Sequence, residues 1–292
     1  MEAVIYGNLT LDRNTIGGKT YISPGGTSYF TSKILHNLNL KVFVFSHYGN
    51  DFPQEKLSGI HLIPEKPKFI KTLVFKNNYK KNGERIQTIS FSGSSALPDV
   101  SRINKKLISA SPILIVAPIL NNISRFTINK LTGLFPKSLK VLVPQGFFRR
   151  VAGGNIILKG CQIPLVSLQK FDVIVVSEND CRQIDEVVRS WKSLSTIVIV
   201  TRGQKPATVY HRGKRKEYPA FPAVIIRDET GAGDIFAAAF AYAYKLSANL
   251  DLAMYFSHAA AALSLPLFPY EIKYGKREIV SFAEKNKKSI SL

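Results

Sequence analysis

Short β-branched runs alternate with stretches of helical period along most of the chain. The run "AVIYGN" (Ala3–Asn8) predicts a strand that stops at Gly7. Across Thr27–Leu40 the apolar residues Phe30, Ile34, Leu35 and Leu38 recur at helical spacing. Lys41–Asp51 then reads as a second strand ending in a turn. Strand, helix, strand in this order is the unit of a parallel sheet. After Pro98 the alternation resumes, with strands at Ile113–Val116, Lys140–Val143, Val173–Val176 and Ile197–Val200 and helices at Ile123–Leu134 and Asn179–Lys192. Val209–Tyr210 and Lys216–Tyr218 predict an antiparallel edge hairpin, followed by helices at Asp234–Leu246, Leu250–Leu265 and Glu278–Asn286.

Two stretches break this rhythm. Lys68–Gly93 holds strand-like runs at Thr72–Phe75 and Ile86–Phe91 around Asn82-Gly83, a strong hairpin signal. Arg13–Pro24 is polar and glycine-rich and predicts a second short hairpin. The expected architecture is one α/β domain over residues 1–292: a three-layer α/β/α sandwich with a mostly parallel central sheet, plus a small β lid built from excursions at about 12–24 and 68–95. In such sheets ligands bind beyond the carboxyl ends of the strands. Function is therefore expected in the turns Gly7–Asp12, His47–Asp51, Gln145–Arg150, Ser177–Asp180, Thr201–Gly203 and Asp228–Asp234.

Composition narrows the class. Of 292 residues 45% are apolar, enough for a sizeable core, and 21% are charged. No apolar run reaches the roughly 18 residues of a membrane helix, and the N-terminus lacks the basic-then-apolar order of a signal peptide. A cytoplasmic protein outside the membrane is expected, with Cys161 and Cys181 as free thiols. The net charge of +20, from 40 basic and 20 acidic residues, raises nucleic acid as a partner. The bases are scattered, however. Their densest cluster, "HRGKRKEY" (His211–Tyr218), reads as a hairpin turn around Gly213. Excess charge without a recognition motif gives non-specific attraction, so nucleic acid is not expected as the main ligand. His36, His47, His61, His211 and His258 show no metal-ligand spacing. "GGKT" (Gly17–Thr20) lacks the glycine four residues before its Gly-Lys pair, and it reads as a lid turn. Lys76, Lys80, Lys81 and Arg85 read as a solvated hairpin face.

The chemistry concentrates in "RDETGAGDIFAAAFAYAY" (Arg227–Tyr244). Gly231 and Gly233 lead into a helix whose first N–H groups lack internal partners, a ready anion site. Asp234 beside that site has two readings. It is an ordinary acid at a helix start, or it takes a proton from a hydroxyl that attacks a phosphoryl group held on the amides.

The string "DETGAGDIFAAAF" resembles the DTxGAGD signature of the ribokinase-like (PfkB) carbohydrate kinase family, and similar strings extend over nearly the whole chain. The resemblance implies that Asp234 is the catalytic base and that the Gly231–Ala232–Gly233 backbone is the anion hole. "YGNLTLD" resembles the family's opening strand, which implies Asn8 and Asp12 on the acceptor. "PGGTSYFTSKILHNLNLKVFVFSHYGNDF" is similar to its glycine-pair segment, helix, strand and Gly-x-Asp-Phe turn; Gly25, Gly26 and Asp51 are the acceptor-side residues this implies. "VIVTRGQ" and "YFSHAAAALSL" resemble the nucleotide-side elements, giving Thr201, Gly203, His258 and Ala262. The family's Asn-x-x-Glu becomes Ser177-Glu178-Asn179-Asp180, so that Glu178 and Asp180 are the implied orderers of metal-bound water. Phe30 stands where members often carry an acceptor-binding Asn, which implies a more apolar pocket. "VPQGFFRR" is similar to a string of the inositol-kinase-like archaeal branch, which implies that Arg149 clamps acceptor hydroxyls or phosphate. The implied reaction is transfer of the γ-phosphate of ATP, with Mg²⁺, to an alcohol of a sugar, polyol, inositol or nucleoside, in a homodimer joined through lid strands. A nucleoside kinase or an ADP-dependent sugar kinase of the same fold is the alternative enzyme. The non-enzyme alternative is a basic nucleic-acid-binding protein on a kinase-like fold.

Overall fold

The computed structural model describes residues 1–79, 85–90, 95–161, 163–191, 193–223 and 225–286. Its strands are β1 (Glu2–Gly7), β2 (Thr10–Ile16), β3 (Lys19–Gly25), β4 (Lys41–Phe45), β5 (His61–Ile63), β6 (Val74–Tyr79), β7 (Arg85–Ser90), β8 (Ile113–Ala117), β9 (Leu139–Leu142), β10 (Arg149–Ala152), β11 (Asn155–Leu158), β12 (Val173–Ser177), β13 (Ile197–Arg202), β14 (Lys205–His211) and β15 (Lys214–Tyr218). The helices are α1 (Thr27–Asn37), α2 (Lys105–Ala110), α3 (Arg125–Leu134), α4 (Leu165–Leu168), α5 (Ile184–Ser190), α6 (Ala232–Ser247), α7 (Leu250–Ser264) and α8 (Lys276–Lys285).

Nine strands form the central sheet in the order β15-β14-β13-β12-β9-β8-β1-β4-β5. All neighbours from β13 to β5 are parallel, and β14 and β15 close one edge as an antiparallel hairpin. Strand alternation sorts the core into two halves. Ala3 and Ile5 of β1 face the layer of α1, α6, α7 and α8, while Val4 and Tyr6 face the layer of α2 to α5. Burying each large apolar side chain contributes about 1.5–3 kcal/mol, so this alternation fixes which face each strand presents. The expected three-layer α/β/α sandwich is present.

A second sheet, in the order β10-β11-β7-β6-β2-β3, stands at the carboxyl end of the first. It is antiparallel except for the parallel pair β2–β6. Leu73, Phe75, Ile89, Ile119 and Leu120 form its own small core. Two of its strand pairs match the expected lid excursions. The Asn82-Gly83 turn, with Lys80 and Lys81, lies outside the described residues. The third pair, β10 and β11, was not anticipated. Ala152 pairs with Asn155 across Gly153 and Gly154, whose φ angles are 55° and 78°. Positive φ at both central residues is the twist a two-residue hairpin needs, and Gly17–Gly18 makes the same turn between β2 and β3.

Three boundaries differ from expectation. The Gly7–Asp12 stretch is a turn only at Asn8–Leu9, because Thr10 already pairs with Gly25 and Asp12 lies inside β2. The strand starting at Lys41 ends at Phe45, and the helix expected from Asn179 begins only at Ile184. Both sets of residues were pulled into loops by side-chain bonds: Asp51 holds Thr72, and Asp180 holds the Ser177 amide. Cys161 is half-buried and Cys181 buried, both as free thiols. Among the described residues, no helix is long and apolar enough to cross a membrane.

Candidate active site

The turn ahead of α6 decides the site. Gly231 is the residue before the helix and sits at φ 82°. A Cβ there would lie 2.3 Å from the ring of Phe30. Any side chain would meet both a disfavoured backbone conformation and a buried ring. Ala232 donates its N–H to the Glu229 carbonyl at 3.2 Å, and Ile235 donates to Gly231 at 2.9 Å. Among the described residues, the N–H groups of Gly231, Gly233 and Asp234 make no backbone bond. These are the orphan donors of a helix start, and they open toward a cavity of about 550 Å³ that Gly231, Gly233 and Asp234 all line. A Cβ on Gly233 would meet nothing within 4 Å, so the backbone there is open to a ligand. The amides left without a backbone bond are thus those of 231, 233 and 234, whereas the Ala232 amide expected to share in an anion hole closes the turn.

Asp234 is half-buried in the wall of this cavity. Burial raises its pKa from 3.8 to about 7, and the charges of Asp180 and Asp12 push in the same direction. The nearby Thr27 hydroxyl, a donor with no hydrogen-bond partner of its own, and the Arg149 cation oppose the rise. A carboxyl poised near neutrality is the property a general base needs.

Arg149 opens β10 and is 5% exposed. Its Nη1 donates to the Ile119 carbonyl at 3.3 Å, and its guanidinium lies 5.7 Å from the centre of the Phe75 ring. It lines the cavity together with Ile156 and Leu158 of the unanticipated hairpin. Asp12 accepts from Thr10 Oγ1 at 2.9 Å. Its carboxylate occupies the space a Cβ on Gly25 would fill, 2.2 Å away, which is why a glycine sits opposite. Gly26, at φ 82°, turns the chain into α1. Asn8 is buried, donates to the Ser95 carbonyl at 3.0 Å and accepts from Asn122 at 2.9 Å. Asp51 accepts from the Thr72 amide at 2.7 Å and the Thr72 hydroxyl at 2.8 Å, which ties its loop to the segment entering β6. Of the residues expected on the acceptor, Asn8, Asp12, Gly25, Gly26 and Asp51 lie around the cavity's frame, and none of them lines it. Phe30 does not line it either, because its ring lies under Gly231.

A second cavity of about 180 Å³ adjoins the first. Thr201, Gly203, His258 and Ala262 line it with Phe221, Ile226, Phe236 and Leu265. Ser177, Asn179, Glu229 and Gly233 border both cavities, so the two lie side by side. Burial lowers the His258 pKa to about 4, which keeps the imidazole neutral, and its Nε2 has no hydrogen-bond partner. The ring meets Phe236 edge-on at 5.0 Å.

The two acids expected near a metal separate. Asp180 lines the larger cavity, with Oδ2 accepting from the Ser177 amide at 2.8 Å. Glu178 lies 3.7 Å from Arg202 and 3.8 Å from Lys205, and it lines neither cavity. Among the described residues, no group of three or more His, Cys, Asp or Glu side chains forms a metal cluster. One carboxylate beside an oxygen-rich cleft still suits Mg²⁺, which keeps its waters and takes its remaining ligands from substrate phosphates. Gln87, which belongs to no motif, also lines the larger cavity, together with Gln145 of the "VPQGFFRR" string and Glu229 of the "DETGAGD" string, two residues to which the motifs gave no role.

The fold is shared with solved kinases. A pyrophosphate-dependent kinase in the ribokinase family, complexed with a pyrophosphate analog and myo-inositol, is 18% identical with a TM-score of 0.74, covering 96% of this chain and 99% of that one. Arabidopsis thaliana ribokinase, complexed with ribose and ATP, is 17% identical with a TM-score of 0.72, covering 97% and 98%. Ribokinase from Thermotoga maritima is 21% identical with a TM-score of 0.70, covering 97% and 99%. No curated protein sequence matches the chain. The architecture is thus ribokinase-like, a large mostly parallel sheet with a small lid. Residues 158–266, which hold Ser177–Asp180, the Gly231–Asp234 turn, His258 and Ala262, match the pfkB family of carbohydrate kinases. The fold and this segment together bear out the resemblance to the ribokinase-like (PfkB) family drawn from the motifs.

Proposed function

We propose that the protein transfers the γ-phosphate of ATP to an alcohol group of a small sugar, polyol or inositol. The observation that carries the reading is Asp234, an acid with a pKa near 7, set beside three open backbone amides in one cavity. In this reading the acceptor hydroxyl loses its proton to Asp234 as its oxygen attacks the γ-phosphorus, and the bond from that phosphorus to the β–γ bridging oxygen breaks to release ADP. The amides of Gly231, Gly233 and Asp234 hold the charge that develops on the phosphoryl oxygens. Arg149 holds the acceptor and, as the nearby cation, keeps Asp234 from rising further. Asn8, Asp12, Gly25, Gly26 and Asp51 act on the acceptor side by shaping the cleft that receives it. Mg²⁺, when bound, neutralises phosphate charge, and Asp180 is the residue that would hold it through water.

ATP is favoured as donor by the second cavity. Its lining is mixed, with Phe221, Ile226, Phe236 and Leu265 beside Thr201, Arg202 and Gln204, which suits the apolar faces and polar edges of a nucleobase. The donor pyrophosphate enters as a second reading because a structural neighbour is pyrophosphate-dependent. A homodimer through the lid is part of the proposal, supported by the exposed Ile22, Ile86 and Ile157 on its strands. The test is an acceptor screen over pentoses, hexoses, inositols and nucleosides with ATP, ADP and pyrophosphate in parallel. ATP turnover that depends on one acceptor class and on Mg²⁺ supports the proposal. Turnover with pyrophosphate alone corrects the donor, and no acceptor-dependent turnover with any donor refutes the enzyme.

A further inference from the structure

The inner face of the lid carries an unbroken row of polar side chains. Gln87 of β7 donates from Nε2 to Asn77 Oδ1 of β6 at 2.7 Å. Asn77 donates from Nδ2 to Asn14 Oδ1 of β2 at 2.8 Å, and Asn14 donates from Nδ2 to the Tyr21 hydroxyl of β3 at 3.1 Å. Tyr21 donates to Asp228 Oδ2 at 2.5 Å, and Asp228 Oδ1 accepts from the Thr230 amide at 2.9 Å. The register explains the row. Asn14 lies directly opposite both Tyr21 and Asn77, and Asn77 lies directly opposite Gln87, so all four side chains share one face. Asn14, Asn77 and Asp228 are each at most 4% exposed. Buried amides are costly unless fully bonded, and a connected row of them holds one geometry. Both ends of the row, Gln87 and Thr230, line the cavity that contains Asp234.

We infer that this row couples the acceptor to the anion-binding turn. One Nε2–H of Gln87 is committed to Asn77, which leaves its Oε1 and its second N–H to meet an acceptor hydroxyl. Holding Gln87 in place orders Asn77, Asn14 and Tyr21 in turn. Tyr21 then fixes the Asp228 carboxylate, and Asp228 fixes the Thr230 amide one residue before Gly231. Acceptor binding thereby sets the amides of Gly231, Gly233 and Asp234 for the phosphoryl group. The acceptor this suits is a polyhydroxylated ring, with hydroxyls for Gln87 and for Asp234 at once. Tyr21 and Asp228 are positioning residues here, since the geometry gives them no contact with the reacting atoms. The coupling rests on the phosphotransfer reading, which supplies the acceptor.

The test is Tyr21→Phe in the full chain. It deletes one hydroxyl and keeps the ring, which packs edge-on against Phe268 at 5.2 Å. Asp228→Asn is the second variant, made in case the first folds poorly. Two readouts are taken. In amide hydrogen exchange without ligand, the Thr230 amide exchanges about tenfold faster in Tyr21→Phe. Saturating myo-inositol or ribose protects residues 229–234 in the wild type and not in the variant, while the lid around Gln87 is protected in both. In steady-state kinetics kcat falls about tenfold and acceptor KM stays within twofold, the split expected of a group that acts through the turn. Wild-type Thr230 exchange in the variant overturns the inference, whether or not any acceptor is turned over. So do unchanged kcat and full transmission of protection to 229–234. If the wild type shows no phosphotransfer at all, the functional reading fails while the exchange result still decides the coupling.

Discussion

Replacing Asp234 with Asn should cost activity and restore stability, and the two effects have separate signatures. Burial holds the folded-state pKa at about 7 against 3.8 for a free carboxyl. That difference is worth up to about 4 kcal/mol. Asp234 is partly open to the cleft, where water screens it, so roughly half, about 2 kcal/mol, is expected to survive. The sign follows from proton binding. Between pH 4 and 7 the folded protein binds this proton and the unfolded chain does not, so wild-type stability falls as pH rises through 7. The carboxamide of the Asp234→Asn variant has no charge to desolvate. The melting temperature of Asp234→Asn relative to wild type should therefore climb by about 3 °C between pH 5 and pH 8, taking about 2 °C per kcal/mol for a chain of this size. In parallel kcat should fall about 10³-fold, within the range for a lost general base, while ATP affinity stays within about twofold because no donor contact is removed. Differential scanning at the two pH values and acceptor-dependent ADP release give the numbers. A gap that does not change with pH would show that the carboxyl carries no desolvated charge. A variant that keeps wild-type kcat would remove Asp234 from the chemistry.

Further outcomes follow from the same geometry. Arg149→Met removes the cation that lowers the Asp234 pKa, so the acid limb of the kcat/KM profile should move to higher pH, and acceptor KM should rise about tenfold or more; an unmoved limb would count against their pairing. His258→Leu should raise KM for ATP about tenfold with kcat nearly unchanged, and should leave any pyrophosphate-driven turnover untouched; equal effects on both donors would place the base elsewhere. Gly231→Ala must accommodate a φ of 82° and a Cβ 2.3 Å from Phe30, and strain of this kind costs roughly 2–4 kcal/mol. Denaturant unfolding should show that loss together with loss of turnover, and Phe30→Ala in the same chain should recover part of the stability.

The central sheet and the Gly231–Asp234 turn were legible in the sequence because each rests on contiguous residues. Ile113–Val116, Val173–Val176 and Ile197–Val200 are strands buried on both faces, and their short β-branched runs say so. The turn is a local string whose glycines answer to local geometry. What was not legible depends on contacts distant in the chain. β10 and β11 are four residues each, and Arg149 looked like the end of a loop. The readable signal was Gly153-Gly154 between two strand-compatible runs, a two-residue hairpin. Gln87 belongs to no motif, and only the pairing of β7 with β6 brings it to the cleft. Phe30 was expected in the acceptor pocket because it stands where members of the resembled family often carry an acceptor-binding Asn. The ring instead fills the space that Gly231 leaves, which no spacing rule announces. Glu178 and Asp180 looked equivalent in the string, and Arg202 and Lys205 draw only the first away.

The measurement closest to the central claim is direct observation of the product. Protein, ATP and Mg²⁺ are incubated with myo-inositol, ribose and a nucleoside in separate reactions and followed by phosphorus NMR. The account predicts a new phosphate monoester resonance that grows in step with ADP in the presence of one alcohol acceptor, and is absent both without Mg²⁺ and with Asp234→Asn. ADP accompanied only by inorganic phosphate with every acceptor, or a monoester formed equally well by Asp234→Asn, would contradict it.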